Sequence, residues 1–159
     1  MAFQYIDTPI GVIGISASAH AVTSVSFIET SEQEVNIVQP SPLTELAAKQ
    51  LNAYFARELK QFTLPLAPVG TVFQQGVWQQ LRRIPYATTC SYTAIAQLIK
   101  QPKAVRAVGA ANGRNPIAII VPCHRVIGAN GKLTGYAGGL ERKAWLLKHE
   151  QHQKGAVLL

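Results

Sequence analysis

The stretch "AIIVPCHRVI" at 118–127 sets Cys123, His124 and Arg125 side by side, directly after Pro122. A cysteine attacks as its thiolate, and an ordinary thiol with a pKa of about 8.5 is only roughly 3% ionised at pH 7. A neighbouring base or positive charge raises that fraction, and His124 and Arg125 offer one of each. Pro122 restricts the backbone just ahead of the sulfur and ends an apolar, strand-like run over 117–121. Two readings fit these residues alone: an activated nucleophile, or a buried cysteine beside a surface His-Arg pair. Adjacency along the chain does not by itself set imidazole on sulfur.

Other chemistries find little material. Cys90 and Cys123 are the two cysteines of the 159 residues, too few for a disulfide framework or a cysteine-rich zinc site. His20, His124, His149 and His152 follow no metal-ligand spacing, and the lone aspartate, Asp7, is remote in sequence, so no metal and no cofactor are expected. Cys90 reads as a small packed residue, and Trp78 and Trp145 as core. The apolar run at 117–121 is far shorter than the roughly 20 residues of a membrane span. Residues 1–4 show no basic or apolar leader, so the expectation is a soluble, cytoplasmic protein, monomeric by default.

Charge divides the chain. Residues 1–70 hold three Lys/Arg against six acids, a net −3, whereas residues 71–159 hold twelve against two, a net +10. A generic solubilising charge would be spread over both halves; this asymmetry points to a polyanion, above all nucleic acid, met by the second half.

The elements that must position Cys123 follow from periodicity. Residues 1–28 alternate in the manner of strands, with "TPIG" a turn and a hairpin at 18–21. Residues 29–40 are polar and loop-like. Ser41-Pro42 is an N-cap followed by proline at the first helical position, and Leu43, Leu46, Ala47 and Leu51 recur at helical spacing to about Arg57. "LPLAPVG" at 64–70 reads as a linker. The fold class is therefore α+β: an N-terminal α/β lobe over 1–70 and a mainly helical domain over 71–159.

In that second domain Phe73, Val77, Trp78 and Leu81 mark one helix, and "RRIPYATT" breaks it. Two short helices follow, joined at Gln101-Pro102. On the second, Ala104, Ala107, Val108 and Ala111 share an inward face, which turns Lys103, Arg106, Gly109, Ala110 and Gly113 outward. That outer face is one long cation among almost no side chains, and each of its glycines costs about 1 kcal/mol against alanine. Such a surface suits either close helix–helix packing or a helix-turn-helix laid against a DNA backbone. "GANGKLTG" at 128–135 reads as an Asn-Gly hairpin.

"NPIAIIVPCHRVIG" at 115–128, with "YTAIA" at 92–96, "PKAVRAVGAANGRNP" at 102–116 and "GYAGGLERKAWLLKHE" at 135–150, closely resembles the O6-alkylguanine-DNA alkyltransferases, especially the bacterial stand-alone ones. The likeness is strong over about 70–151 and weaker before it. It implies direct-reversal DNA repair: irreversible transfer of a methyl or larger alkyl group from O6-alkylguanine in duplex DNA, after base flipping, onto Cys123, once per protein molecule. O4-alkylthymine is a further candidate substrate.

By the same resemblance His124 is the base that takes the thiol proton through a water, and Glu150 the carboxylate that orients it. Glu150 on residues alone reads equally as a surface glutamate, though unfavourably placed near a helix C-terminus. Tyr92 is similar to the tyrosine that donates to the guanine ring; alone, it is an amphipathic helix-start aromatic. Arg106 resembles the finger that enters the base stack, with Lys103, Ala110 and Gly113 around it on the DNA-facing surface. Asn115 matches a hinge between recognition helix and active-site strand, or a routine turn before Pro116. Tyr136, Ala137 and Gly138 resemble the loop walling the base pocket. Arg125 looks structural or part of an electropositive setting.

Three departures stand out. Ala137 takes the place of a serine found in some relatives. Ala87 stands where glycine is usual and is expected to stay clear of the chemistry. No cysteine precedes Cys90, so the zinc some relatives carry is not expected. Two other classes compete: a non-catalytic damage-recognition protein, which Cys123 argues against, and a helix-turn-helix regulator, for which Gly109, Ala110 and Gly113 are poor base readers. A cysteine peptidase would leave the basic half unexplained.

Overall fold

The computed structural model describes residues 1–29 and 38–158, with side chains through Gln151; most of the loop expected over 29–40 lies outside them. The chain divides into two compact units, Met1–Val69 and Gly70–Leu159.

In the first unit, β1 (Ala2–Thr8), β2 (Gly11–Ala17) and β3 (Val22–Phe27) form an antiparallel sheet in the order β1-β2-β3. Its register sets Ile6 opposite Ile13 and Ile15 opposite Val25. All four are buried, as one face of a half-covered sheet should be. The two turns are made by hydroxyls: Thr8 Oγ1 donates to the Gly11 carbonyl at 2.6 Å, and Ser18 Oγ accepts from the Ala21 amide at 3.1 Å.

Helix α1 (Pro42–Phe55) starts with a reciprocal capping box between Ser41 and Thr44 and covers the sheet with Thr44, Ala47, Ala48, Leu51 and Tyr54. Leu46, expected on the inner face, is 42% exposed. Tyr54 and Ala48 set the stripe instead, because together with Leu51 they bury more surface than a Leu46-centred face would. The 64–70 segment is not a free linker. Val22 donates to Pro65 O and Ala67 donates to Val22 O, both at 2.9 Å, which adds 65–67 to the edge of β3.

In the second unit, α2 (Val72–Leu81) is opened by a Thr71/Gln74 capping box and buries Val77, Trp78 and Leu81. Two-residue β4 (Cys90–Ser91) runs into α3 (Tyr92–Leu98), whose N-cap is Ser91. Helix α4 (Val105–Gly113) follows after a turn. Trp78 Nε1 donates to Ala111 O at 2.8 Å and ties α2 to α4.

Pro102 does not begin that helix: it and Lys103 lie in the turn, and the first helical residue is Val105. The buried stripe is Val108, Ala111 and Asn112, with Ala107 exposed and Gly109 half-buried. Val105 and Val108 bury more apolar surface than alanines do and so set the rotation of the helix. Gly109 faces the Tyr92 ring, where an added Cβ would stand 3.9 Å from Cδ1.

Residues 117–121 form no strand but a run of tight turns, in which Ile120 donates to Ala118 O at 2.8 Å and Val121 to Ile117 O at 3.0 Å. A 3-10 turn over Cys123–Arg125 comes next, then β5 (Val126–Ile127), which pairs in parallel with β4. The 128–135 segment makes an Asn-Gly turn closed by two backbone bonds, Gly131 to Gly128 O and Gly128 to Lys132 O, both at 2.9 Å, but among the described residues no second strand extends it into the hairpin expected there. Helix α5 (Leu140–Leu158) closes the unit. No helix among the described residues is long and apolar enough to cross a membrane.

Candidate active site

Cys123 is buried at 5% exposure on the first position of the 3-10 turn. Side chains on such a turn leave the axis about 120° apart. Cys123, His124 and Arg125 therefore diverge, and among the described residues no hydrogen bond joins the sulfur to the imidazole. The turn is braced from outside: Cys123 N donates to Val121 O at 2.8 Å, and Asn112 Nδ2 on α4 donates to Cys123 O at 3.3 Å.

Asn115 organises the backbone that leads to Cys123. Its Nδ2 donates to Val121 O at 2.8 Å and Ile117 O at 3.3 Å, and its Oδ1 accepts from Ile117 N at 3.0 Å. One amide thus satisfies backbone groups that a strand ladder would otherwise have paired, which is why the apolar run takes a turn conformation. Burial pushes the Cys123 thiol up, while a hydrogen bond from Asn115 and the charge of Lys143 pull it back. At rest the group is a neutral thiol, not the preformed thiolate that its neighbours in sequence suggested.

His124 is fully buried and shares a proton with Glu150: Nε2 lies 2.6 Å from Oε2. Its Nδ1 is buried and has no hydrogen-bond partner among the described residues. An ionised carboxylate only accepts, so this pairing places the hydrogen on Nε2 and a lone pair on Nδ1. Burial lowers the imidazole pKa, and Glu150 offsets part of that effect. Burial likewise raises the Glu150 carboxyl, but the bond to His124 and the guanidinium of Arg125 overcome it and hold Glu150 far below the usual carboxylate range. The result is a neutral, oriented imidazole able to take a proton at Nδ1.

Glu150 is not a surface residue; it is fully buried and tied to two segments, the Cys123–Arg125 turn and the turn at Ala87. Arg125 donates to it twice, Nε to Oε1 at 2.8 Å and Nη2 to Oε2 at 3.0 Å. The amide of Ala87 donates to Oε1 at 3.2 Å. Ala87, expected to stay clear of the site, touches it through its backbone. It does so at φ 61°, the left-handed region that favours glycine.

On the other side of the cysteine, Lys143 of α5 is buried and was not singled out from sequence. Its Nζ donates to Thr134 O at 2.7 Å and reaches Tyr92 Oη at 3.4 Å. Tyr92 Oη also donates to Thr134 O at 3.1 Å. Burial lowers the Lys143 pKa, against a raising influence of Cys123. The sequence did carry a signal: Lys143, Leu146 and Glu150 recur at helical spacing and, with His149, form the buried stripe of α5, so a lysine stands where a core residue belongs.

The loop at 136–139 precedes α5. Tyr136 is half-buried, and burial, then the nearby Cys123, push its phenol well up. Gly139 donates to Tyr136 O at 2.9 Å and has φ 93°, and Arg142 Nη1 holds Gly138 O at 3.2 Å. Ala137 is exposed. Arg106, Ala110 and Gly113 are exposed on α4, the helix whose inner face holds Cys123 through Asn112, and Lys103 is exposed in the preceding turn.

Cys123, His124 and Glu150 are thus buried close together, with the half-buried Asn115 against the turn that carries Cys123. Tyr92 reaches this cluster through Lys143, and Tyr136 lies within electrostatic reach of Cys123. Cys90 is half-buried in β4, away from that cluster's hydrogen bonds, and Trp145 is half-buried and stacked on His149 rather than in the core.

Two family models divide the chain between them: the ribonuclease-like domain of 6-O-methylguanine DNA methyltransferase matches residues 1–68, and its DNA binding domain matches residues 72–152. The chain belongs to the 6-O-methylguanine DNA methyltransferase family. A methylated-DNA–protein-cysteine methyltransferase of Methanosarcina acetivorans is 50% identical over 154 residues, covering 94% of this chain and 98% of its own. The crystal structure of the Mycobacterium tuberculosis O6-methylguanine methyltransferase superposes with a TM-score of 0.83 at 49% identity, over 95% of this chain and 93% of that one. A second structure of the M. tuberculosis protein, solved in complex with DNA, gives a TM-score of 0.86 at 50% identity over 96% and 94%.

Proposed function

We propose that this protein is a methylated-DNA–protein-cysteine methyltransferase, repairing O6-alkylguanine in duplex DNA by moving the alkyl group to its own Cys123. The observation that carries this reading is the buried row of Cys123, His124 and Glu150 in a chain of this family, with an imidazole lone pair at Nδ1 and no partner for it among the described residues. His124 takes the thiol proton at Nδ1, through a bridging water, while Glu150 stabilises the imidazolium that forms. The thiolate attacks the alkyl carbon in line with the C–O6 bond. As the S–C bond forms, the C–O6 electron pair passes to the guanine, which regains a proton. A thioether has no low-barrier return path, so each molecule reacts once.

Tyr92, at the head of α3, donates to the guanine ring as negative charge develops on it, with Lys143 beside it to hold the hydroxyl in place. The loop of Tyr136, Ala137 and Gly138 walls the pocket, and Ala137 leaves only backbone there to meet the base. Asn115 holds the turn that carries the nucleophile. The α3–α4 pair acts as a helix-turn-helix: Arg106 fills the space of the extruded nucleotide, and Lys103, Ala110 and Gly113 let the helix and its turn lie close to the phosphates. The lobe at 1–70 adds no chemistry, and the 71–159 domain carries both catalysis and DNA binding as a monomer without a metal.

Intact-protein mass spectrometry after mixing with a duplex carrying one O6-methylguanine tests this. One added methyl, mapped to Cys123, saturating at one per molecule and lost in Cys123→Ala, is the expected result. Lesion binding without methyl gain would make the protein a damage-recognition module.

A further inference from the structure

Arg125 stands outside the row that moves the proton, yet every nitrogen of its guanidinium is engaged. Nε and Nη2 clasp the two Glu150 oxygens at 2.8 and 3.0 Å, and Nη1 donates to Ile84 O at 2.9 Å. The Tyr86 ring lies under the guanidinium at 5.5 Å. The side chain is 7% exposed, so these bonds are not exchanged for water. The Glu150 oxygen that meets His124 is the one Arg125 also holds. Its position along the His124 Nε2 direction is therefore set by a planar fork that is anchored in turn to the end of α2.

We infer that Arg125 is a positioning residue for the alkyl transfer: by clasping both oxygens of Glu150 it turns Oε2 onto His124 Nε2, keeps Nδ1 as the basic nitrogen and sets the pH range over which His124 accepts the thiol proton. This rests on the reading of His124 as the base. The charged and titratable groups around His124 are Cys123 and Arg125 of its own turn, Glu150 and Lys143 of α5, and Tyr136 of the pocket loop, which acts on Cys123 and Glu150. On the remaining sides α4 presents the neutral Asn112 amide, and α2 packs inward with Val77, Trp78 and Leu81.

The sign follows from two effects that agree. The Arg125 charge disfavours a proton on His124. It also shares the Glu150 charge that would favour one. Without Arg125 the imidazole faces an undivided carboxylate, holds its proton to higher pH and becomes an available base later in a titration.

Single-turnover transfer from an O6-methylguanine duplex, followed across pH for the parent, Arg125→Gln and Arg125→Lys, tests the inference. The acid limb of the parent profile belongs to the Cys123/His124 pair. In Arg125→Gln that limb should move to higher pH by about one unit, a loss of roughly tenfold on the acid side of the limb that is largely regained above it. Arg125→Lys keeps the charge but not the fork, so its limb should stay near that of the parent at a lower plateau. A rate that falls by one factor at every pH in Arg125→Gln, or a limb displaced in Arg125→Lys, overturns the inference. Should Arg125→Gln fail to fold, the Arg125→Lys profile and an NMR titration of the His124 ring in Arg125→Lys and the parent, both carrying Cys123→Ser, still decide it. The titration should give equal His124 pKa values in the two, and a shift overturns the inference. An inert parent would defeat the transferase reading instead.

Discussion

Glu150 accepts hydrogen bonds from His124, Arg125 and the Ala87 amide, and its charge is worth most where all three are present. Its folded pKa lies far below the value of about 4.3 for a free glutamate, so the folded state binds fewer protons than the unfolded one in that range. The stability this contributes is complete above the unfolded pKa and is lost as pH falls through the folded one. Glu150→Gln should therefore destabilise the protein by about 3 to 5 kcal/mol near neutral pH. Urea denaturation across pH should show that gap narrowing towards strong acid; a gap independent of pH would mean that the carboxylate charge is not what the site holds. Which His124 nitrogen keeps its lone pair, by contrast, is decided by a single contact, because Nε2 is taken by Glu150.

At the scale of elements, the turn that carries Cys123 depends on one asparagine. The run 117–121 is as apolar as a buried strand, and Ile119 even takes φ 71° within it, a conformation unfavourable for a β-branched residue. What stabilises that backbone is the Asn115 side chain, with three hydrogen bonds to 117 and 121. Asn115→Ala should cost about 1 to 3 kcal/mol, measured by denaturant unfolding, since it takes the acceptor from the Ile117 amide and one of two donors from the Ile117 and Val121 carbonyls. It should slow transfer as well, because the turn carrying Cys123 loses its brace. Apolar periodicity cannot distinguish a strand from turns tied by a neighbouring side chain, which is why 117–121 reads as a strand in sequence. The rotation of α4 has a similar cause: spacing alone weighs Ala107 and Val108 alike, and only packing favours the larger residue.

At the scale of the whole molecule, the +10 excess of residues 71–159 predicts binding to undamaged duplex that weakens steeply with salt, through counterion release. Affinity measured from low to moderate salt should fall with a slope reflecting several phosphate contacts; a flat response would remove the electrostatic basis for DNA binding. Arg106→Ala separates extrusion from chemistry. Arg106 is exposed on α4 and has no part in the hydrogen bonds around Cys123, so transfer from a duplex should drop by about tenfold or more while transfer from a free O6-alkylguanine base stays near the parent rate. Equal losses on both substrates would assign Arg106 to the chemistry or to folding.

What the sequence determined by itself is local or compositional. The Pro122-Cys123-His124-Arg125 order, the capped start of α1 and the charge asymmetry all depend on residues close in the chain or on simple sums. The helices and the class of partner were legible for that reason, and Cys123 stood out as the candidate nucleophile. Glu150 and Asn115 came from family likeness, since spacing alone left both open to plain structural readings. Tertiary structure alone decided that Arg125 clasps Glu150 25 residues away in sequence, that Lys143 meets Tyr92 across 51, and that an Ala87 amide completes the carboxylate's shell across 63. A buried charge requires partners wherever the fold supplies them, and that choice is made by packing between distant segments, which no window of sequence contains.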